Sequence, residues 1–258
     1  GDVQVIQDWS WAKISADIHT KTVSVGQATT LPSVNVYFED KEAEDFFVAL
    51  MNRQSIKKFS NRMSGIKMGC TNYKELLDKK VPEFTVNSVI CLDSDAKSLL
   101  NDKNYKTVVF LPGDLPPDQL IFEHLYNLPP EDNFWKNNLQ FSRAVFTSVG
   151  REVIKELGIT GNIVDLKERL AAYRGEKVRR QIFKNFYNST DIQMLIAASV
   201  KPFNAWRHWV EKNPQAVNVF LESFKVAMYG VMKNGYAVDD AKLTALEVKL
   251  KKVPNVLK

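Results

Sequence analysis

The run VNVYFEDKEAED (34–45) and its counterpart SVICLDSDA (88–96) decide how this chain is read. Each is a short, almost continuous apolar stretch that stops at acidic residues, Glu39 in the first and Asp93 and Asp95 in the second. A strand covered on both faces has this pattern, because neither side meets water. Two further β-type runs, IKMG (66–69) and TVVFLPG (107–113), alternate with amphipathic segments over 41–52, 72–79, 96–101 and 117–126. Strands that alternate with helices imply a mainly parallel sheet with helices on both faces. Residues 34–130 are therefore expected to form an α/β domain.

Beyond the proline-rich LPPEDNFW (128–135) the β-type runs disappear. Helical periodicity then holds over 135–157, 163–187, 189–199, 202–212, 214–233 and 237–251, which predicts an all-helical subdomain over 131–258. Its many aromatics, among them Phe183, Phe186, Trp206, Trp209, Phe220 and Phe224, recur at helical spacing and read as core. Residues 1–33 show no clean period and read as a connector from an upstream region.

The 258 residues, 45% of them hydrophobic, suffice for a sizeable core, which excludes disordered and fibrous classes. No apolar run approaches the roughly 20 residues of a membrane-spanning helix, and no secretory signal opens the chain; a soluble, cytoplasmic protein is expected. Cys70 and Cys91 both lie in apolar stretches and read as reduced, buried thiols. With three scattered histidines, His19, His124 and His208, they supply no zinc-ligand cluster. The net charge of +5 permits a polyanionic partner without requiring one.

In an open parallel sheet, ligands bind in the crevice beyond the carboxyl ends of the strands. Glu39, Asp93 and Asp95 are all placed there by the strand pattern. One such acid is as often a solvated helix cap, but three converging carboxylates repel one another, and a divalent cation with hard oxygen ligands relieves that repulsion.

A strand ending in Glu, about fifty residues of α/β structure, then a strand ending in Asp-x-Asp resembles the Toprim domain of topoisomerases, primases and the overcoming-lysogenization-defect (OLD) nucleases. The phrase TVVFLPGDLPPDQLIFEHLYNLP, following ICLDSDA, is most similar to the Toprim region of OLD-type ATPase-nucleases of bacterial defence. The resemblance covers residues 34–130 and reaches the helical half only loosely. It implies a nuclease that uses Mg²⁺ or Mn²⁺, as two ions, to hydrolyse phosphodiester bonds of DNA or RNA. It also implies an ABC-type ATPase domain upstream or in trans, through which a homodimer would form, since no GxxxxGK[ST] sequence occurs in this chain.

Carried over residue by residue, the resemblance makes Glu39 the family's first acid and Asp93 and Asp95 its Asp-x-Asp pair. The second acid of related nucleases, four residues after the first, falls on Ala43, so Glu42 or Glu44 would have to replace it. Asp118 matches an acid that opens the next helix, and Lys201 a lysine late in the fold. Metal ligands are thus expected among Glu39, Glu42, Asp93, Asp95 and Asp118, with Lys201 supporting catalysis.

The segment KERLAAYRGEKVRRQIFK (167–184) carries seven basic residues against two acidic ones. Such a run is commonly a solvated helix face. Lys177, Arg180 and Lys184 nevertheless share one helical stripe and are candidates for contact with a phosphate backbone. Two alternatives remain at this stage: a non-catalytic Toprim module that senses or holds a partner of an ATPase, and a topoisomerase or primase fragment.

Overall fold

The computed structural model describes residues 31–100, 104–136, 142–159, 166–171, 175–198 and 204–251. Most of the 1–33 connector therefore lies outside the described residues. Four strands form one all-parallel sheet: β1 (Val34–Phe38), β2 (Ser60–Lys67), β3 (Ser88–Leu92) and β4 (Val108–Phe110), in the order β2-β1-β3-β4. Connecting them are α1 (Lys41–Leu50), α2 (Cys70–Asp78) and the short α3 (Lys97–Leu100), and α4 (Pro117–Asn127) follows β4. This is the expected α/β architecture.

The strands alternate between two cores. Val34, Val36 and Phe38 of β1 and Val89 and Cys91 of β3 face the larger one, while Tyr37, Ile90 and Leu92 face a smaller cluster beneath α2 and α3. Period-two alternation with both faces apolar makes each central strand a continuous hydrophobic run. β2 departs from the sequence expectation: it begins at Ser60, six residues before the IKMG run, and reads SNRMSGIK. As an edge strand it is largely exposed, so no apolar pattern marks it, and Arg62 and Lys67 give it the charge that discourages strand addition. Cys91 is buried as expected, whereas Cys70, at the exposed start of α2, is only half-buried; both are free thiols.

After residue 130 the described structure is helical: α5 (Asn133–Lys136), α6 (Arg143–Glu156), α7 (Leu166–Ala171), α8 (Glu176–Tyr187), α9 (Thr190–Ala197), α10 (Ala205–Lys212), α11 (Pro214–Asn234) and α12 (Asp240–Lys251). These helices share the large core of the sheet. Phe46 of α1 stacks on Trp206 of α10 with ring centroids 4.2 Å apart, and Phe47 meets Phe224 of α11 at 5.2 Å. Phe122 of α4 packs against Phe183 and Phe186 of α8 at 5.5 and 5.0 Å. Two C-terminal carbonyls of α4, those of Leu125 and Tyr126, accept hydrogen bonds from Arg143 at 2.9 and 3.0 Å, which joins α4 to α6. No helix among the described residues is long and apolar enough to cross a membrane.

Because one apolar core spans residue 130, the two halves should unfold together. Phe47→Ala is expected to cost about 3–5 kcal/mol and to lower a single cooperative transition seen by both circular dichroism and tryptophan fluorescence. Limited proteolysis that quickly released two stable halves near 128–136 would contradict the shared core.

Candidate metal and phosphate site

The order β2-β1-β3-β4 sends the chain outward from β1 in one direction and from β3 in the other. The crevice at such a reversal, at the carboxyl ends of the strands, is where open α/β sheets take ligands. Glu39 leaves β1 and Asp93 leaves β3 at that point. The end of β1 is fixed by the Tyr73 hydroxyl, which donates to the Phe38 carbonyl at 3.0 Å. Glu39 then reaches across the crevice: its carboxylate accepts from the backbone N–H of Asp93 at 3.0 Å and of Cys70, at the start of α2, at 3.3 Å. Burial pushes Glu39 up to about 7; these two N–H bonds resist the shift, while the charges of Asp95 and Asp40 add to it.

Asp93 lies at the centre of the cluster. It is 7% exposed, and its Oδ1 is buried with no hydrogen-bond partner. Burial raises its pKa well above the usual carboxylate range, and Glu39, Asp40, Asp95 and Asp118 all push the same way. Asp118, in the first turn of α4, is equally buried and accepts from the Gln119 N–H at 2.9 Å. Burial, then Asp40, brings it up to about 7. Asp95 stands nearer the surface, 4.0 Å from the Arg180 guanidinium.

The structure separates Glu42 from Glu44. Glu42 is buried on the crevice side, 3.6 Å from the Lys184 ammonium, and burial together with Asp40 raises its pKa. Glu44 turns toward β2, where it pairs with Lys67 at 2.7 Å and Arg62 at 3.1 Å and accepts from Ser64. Burial alone would raise Glu44, but those partners hold it below its ordinary value. Ala43 between them is fully buried in the core. One residue of the site goes beyond the sequence candidates. Asp40 caps α1 through the Ala43 N–H at 3.0 Å and accepts from Lys184 at 2.9 Å. An Asp at a helix start signalled only the cap, because the salt bridge spans 144 residues.

The basic stripe of α8 faces this cluster. Lys184 lies between Asp40 and Glu42, and although burial works against its charge, Asp40 and then Glu42 and Asp118 raise its pKa. Arg180 lies one turn earlier, beside Asp95, and Lys177 is exposed beyond it. Arg179, off the stripe, turns away to the Leu170 carbonyl at 3.2 Å. Lys184 thus serves as an internal counter-charge, where the sequence suggested an open phosphate contact. Lys201 lies outside the described residues.

Among the described residues, no group of three or more His, Cys, Asp or Glu side chains is arranged to hold a metal ion. The expectation that Glu39, Asp93 and Asp95 enclose one cation-sized space is thus not met in this arrangement. Repulsion accounts for the spacing: Glu39 turns to backbone N–H groups, and Lys184 draws Asp40 and Glu42 to itself. The donor set nonetheless fits a hard divalent cation, since every candidate ligand is a carboxylate and Asp93 Oδ1 has no other partner. Comparison with protein-family models, curated proteins and solved structures finds no match for this chain.

Two outcomes test these electrostatics. Glu39 and Asp118 titrate near 7 in the folded chain against ordinary values of 4.5 and 3.8, so between those limits the folded state holds protons that the unfolded state has released. Stability from these groups is therefore greatest below that window and falls as pH rises through about 7. The metal-free protein should melt at a higher temperature at about pH 5 than at about pH 8, with divalent cations restoring stability only at the higher pH. A melting temperature that is flat or rising over that range would contradict the assignment. Lys184→Met should lower it further at the higher pH, by a few degrees.

Proposed function

We propose that this chain is a divalent-metal-dependent nuclease that hydrolyses phosphodiester bonds, with DNA as the favoured substrate and RNA the other candidate. The observation that carries the reading is Asp93: a carboxylate buried at the reversal point of the sheet, one oxygen without a partner, beside Glu39 from the adjacent strand. Buried, repelling carboxylates at a strand-end crevice destabilise a fold, and such strain is typical of functional sites. Glu39 and Asp93 would hold the first Mg²⁺ or Mn²⁺, with Asp95, Asp118 and Glu42 completing a second position. The bound metal would supply Lewis-acid stabilisation of the phosphate and a more acidic water.

The chain's own residues supply the rest. Arg180 and Lys177 present positive charge at the rim and draw a polyanion toward a crevice whose carboxylates would otherwise repel it. Lys184 already neutralises part of that negative charge. Contact through phosphates alone carries no base specificity, which suits cleavage with little sequence preference. The resemblance to OLD nucleases adds the proposal that the domain works with an ABC-type ATPase. A second reading, a non-catalytic Toprim module, is favoured by Ala43, which stands in the core where relatives place an acid.

Nicking of supercoiled plasmid separates the two readings. The nuclease reading expects nicking with Mn²⁺ or Mg²⁺ that EDTA stops. Asp93→Ala and Glu39→Ala should abolish it while leaving the protein folded, since each removes a repelling charge. Nicking that survives both substitutions would refute the assignment, and its absence from the folded wild-type chain under every metal would favour the non-catalytic reading. Lys177→Ala with Arg180→Ala should weaken DNA binding uniformly across sequences and reduce the salt slope by up to about 0.9 per lost phosphate contact.

A further inference from the structure

The ammonium of Lys184 is 2.9 Å from Asp40 Oδ2 and 3.6 Å from Glu42 Oε2, and Asp118, in the first turn of α4, is near enough to act on its charge. Glu42 and Asp118 are two of the acids assigned above to a second metal position. One monovalent cation does not serve the whole cluster. Asp93, which Asp40 and Asp118 also influence, is 7% exposed and keeps Oδ1 buried with no hydrogen-bond partner. A buried carboxylate oxygen in that state calls for further positive charge, which a divalent cation would bring.

Lys184 and such a cation cannot hold the same acids at once, because like charges at contact distance repel strongly in a partly buried site. The lysine is the partner able to leave. Its side chain is 40% exposed against 6% for Glu42, so the acid is fixed while the ammonium can turn to solvent on its four-carbon stem. The helix need not move. Phe183 and Phe186, on either side of Lys184, pack on Phe122 and hold the backbone of α8 in place. Arg180 lies one turn earlier on the same stripe, 4.0 Å from Asp95, so an ammonium that leaves Asp40 and Glu42 joins the positive rim.

We propose that Lys184 is an exchangeable counter-ion: it holds Asp40 and Glu42 while the second metal position is empty, leaves them when a divalent cation enters, and then donates to a phosphate oxygen of the nucleic acid. The inference rests on the metal-dependent nuclease reading and adds a coupling to it. Entry of the cation frees a phosphate donor, and a bound phosphate in turn draws the ammonium away from acids the cation needs. By linkage the two effects are equal, so the second metal and the substrate each tighten the other. A lysine with only a structural role would stay paired, and its removal would not tighten metal binding.

The test is calorimetric titration of the full chain with Mn²⁺, without nucleic acid, in the wild type, Lys184→Met and Lys184→Arg. The weaker of two Mn²⁺ steps should tighten about tenfold in Lys184→Met, where no ion pair has to be broken, and stay close to wild type in Lys184→Arg, which keeps the charge. A measurement on the wild type guards against a folding failure of the Met variant: the ¹⁵N signal of the Lys184 ammonium, assigned by its loss in Lys184→Arg, should shift on saturation with Mg²⁺. Duplex DNA binding in Ca²⁺ should show a salt slope steeper in the wild type than in Lys184→Met by about 0.9, a difference that disappears in EDTA. An equal or looser second step in Lys184→Met, a single Mn²⁺ step in every protein, an unmoved ammonium signal or equal slopes in Ca²⁺ would each overturn the exchange while leaving the nuclease reading intact. No Mn²⁺ bound by any of the three proteins would overturn both.

Discussion

The ammonium of Lys184, 2.9 Å from Asp40 and 3.6 Å from Glu42, is the contact on which the carboxylate crevice depends. Six acids, Glu39, Asp40, Glu42, Asp93, Asp95 and Asp118, crowd one end of the sheet, and burying a charge without an opposite one nearby costs several kcal/mol. Lys184 can occupy that place only if α8 is docked. The docking is hydrophobic: Phe183 and Phe186, on either side of Lys184 in sequence, pack on Phe122 of α4. The helical half is therefore part of the site, since the packing that fixes α8 also places the counter-charge.

Topology explains why the acids meet where they do. β1 and β3 are neighbours whose connections depart in opposite directions, so no crossover covers the space between their carboxyl ends. Glu39 bridges that space to the backbone of the next strand. Its bonds to Asp93 N–H and Cys70 N–H tie the end of β1 to the end of β3 and to the start of α2.

Local sequence made the central strands legible, because β1 and β3 are buried on both faces and therefore continuously apolar. It concealed β2, whose exposed edge position requires no apolar residues; only its last residues, Ile66 and Lys67, fell within the expected run. The acids at the strand ends were legible for the same reason as the strands, since an abrupt change from apolar to acidic marks a carboxyl end. The choice of Glu42 over Glu44 was not legible. It depends on Lys67 and Arg62 of the edge strand drawing Glu44 away and on Lys184 standing opposite Glu42, pairings that span 18 to 142 residues. The stripe of Lys177, Arg180 and Lys184 followed from helical spacing, but its orientation toward an acidic cluster followed from the packing of aromatics on the opposite side of α8.

The two ends of α4 illustrate one effect with opposite consequences. Burial disfavours whichever form of a group is charged, so it raises Asp118 in the first turn and lowers His124 in the last. Both groups are pushed toward neutrality, yet their surroundings differ. Asp93 beside Asp118 has a buried oxygen with no hydrogen-bond partner, whereas His124 shares a hydrogen bond with His208, which in turn meets Asp132. What distinguishes the two ends is therefore the unpartnered oxygen of Asp93, which only a proton donor or a cation can satisfy, against an imidazole pair already tied to Asp132.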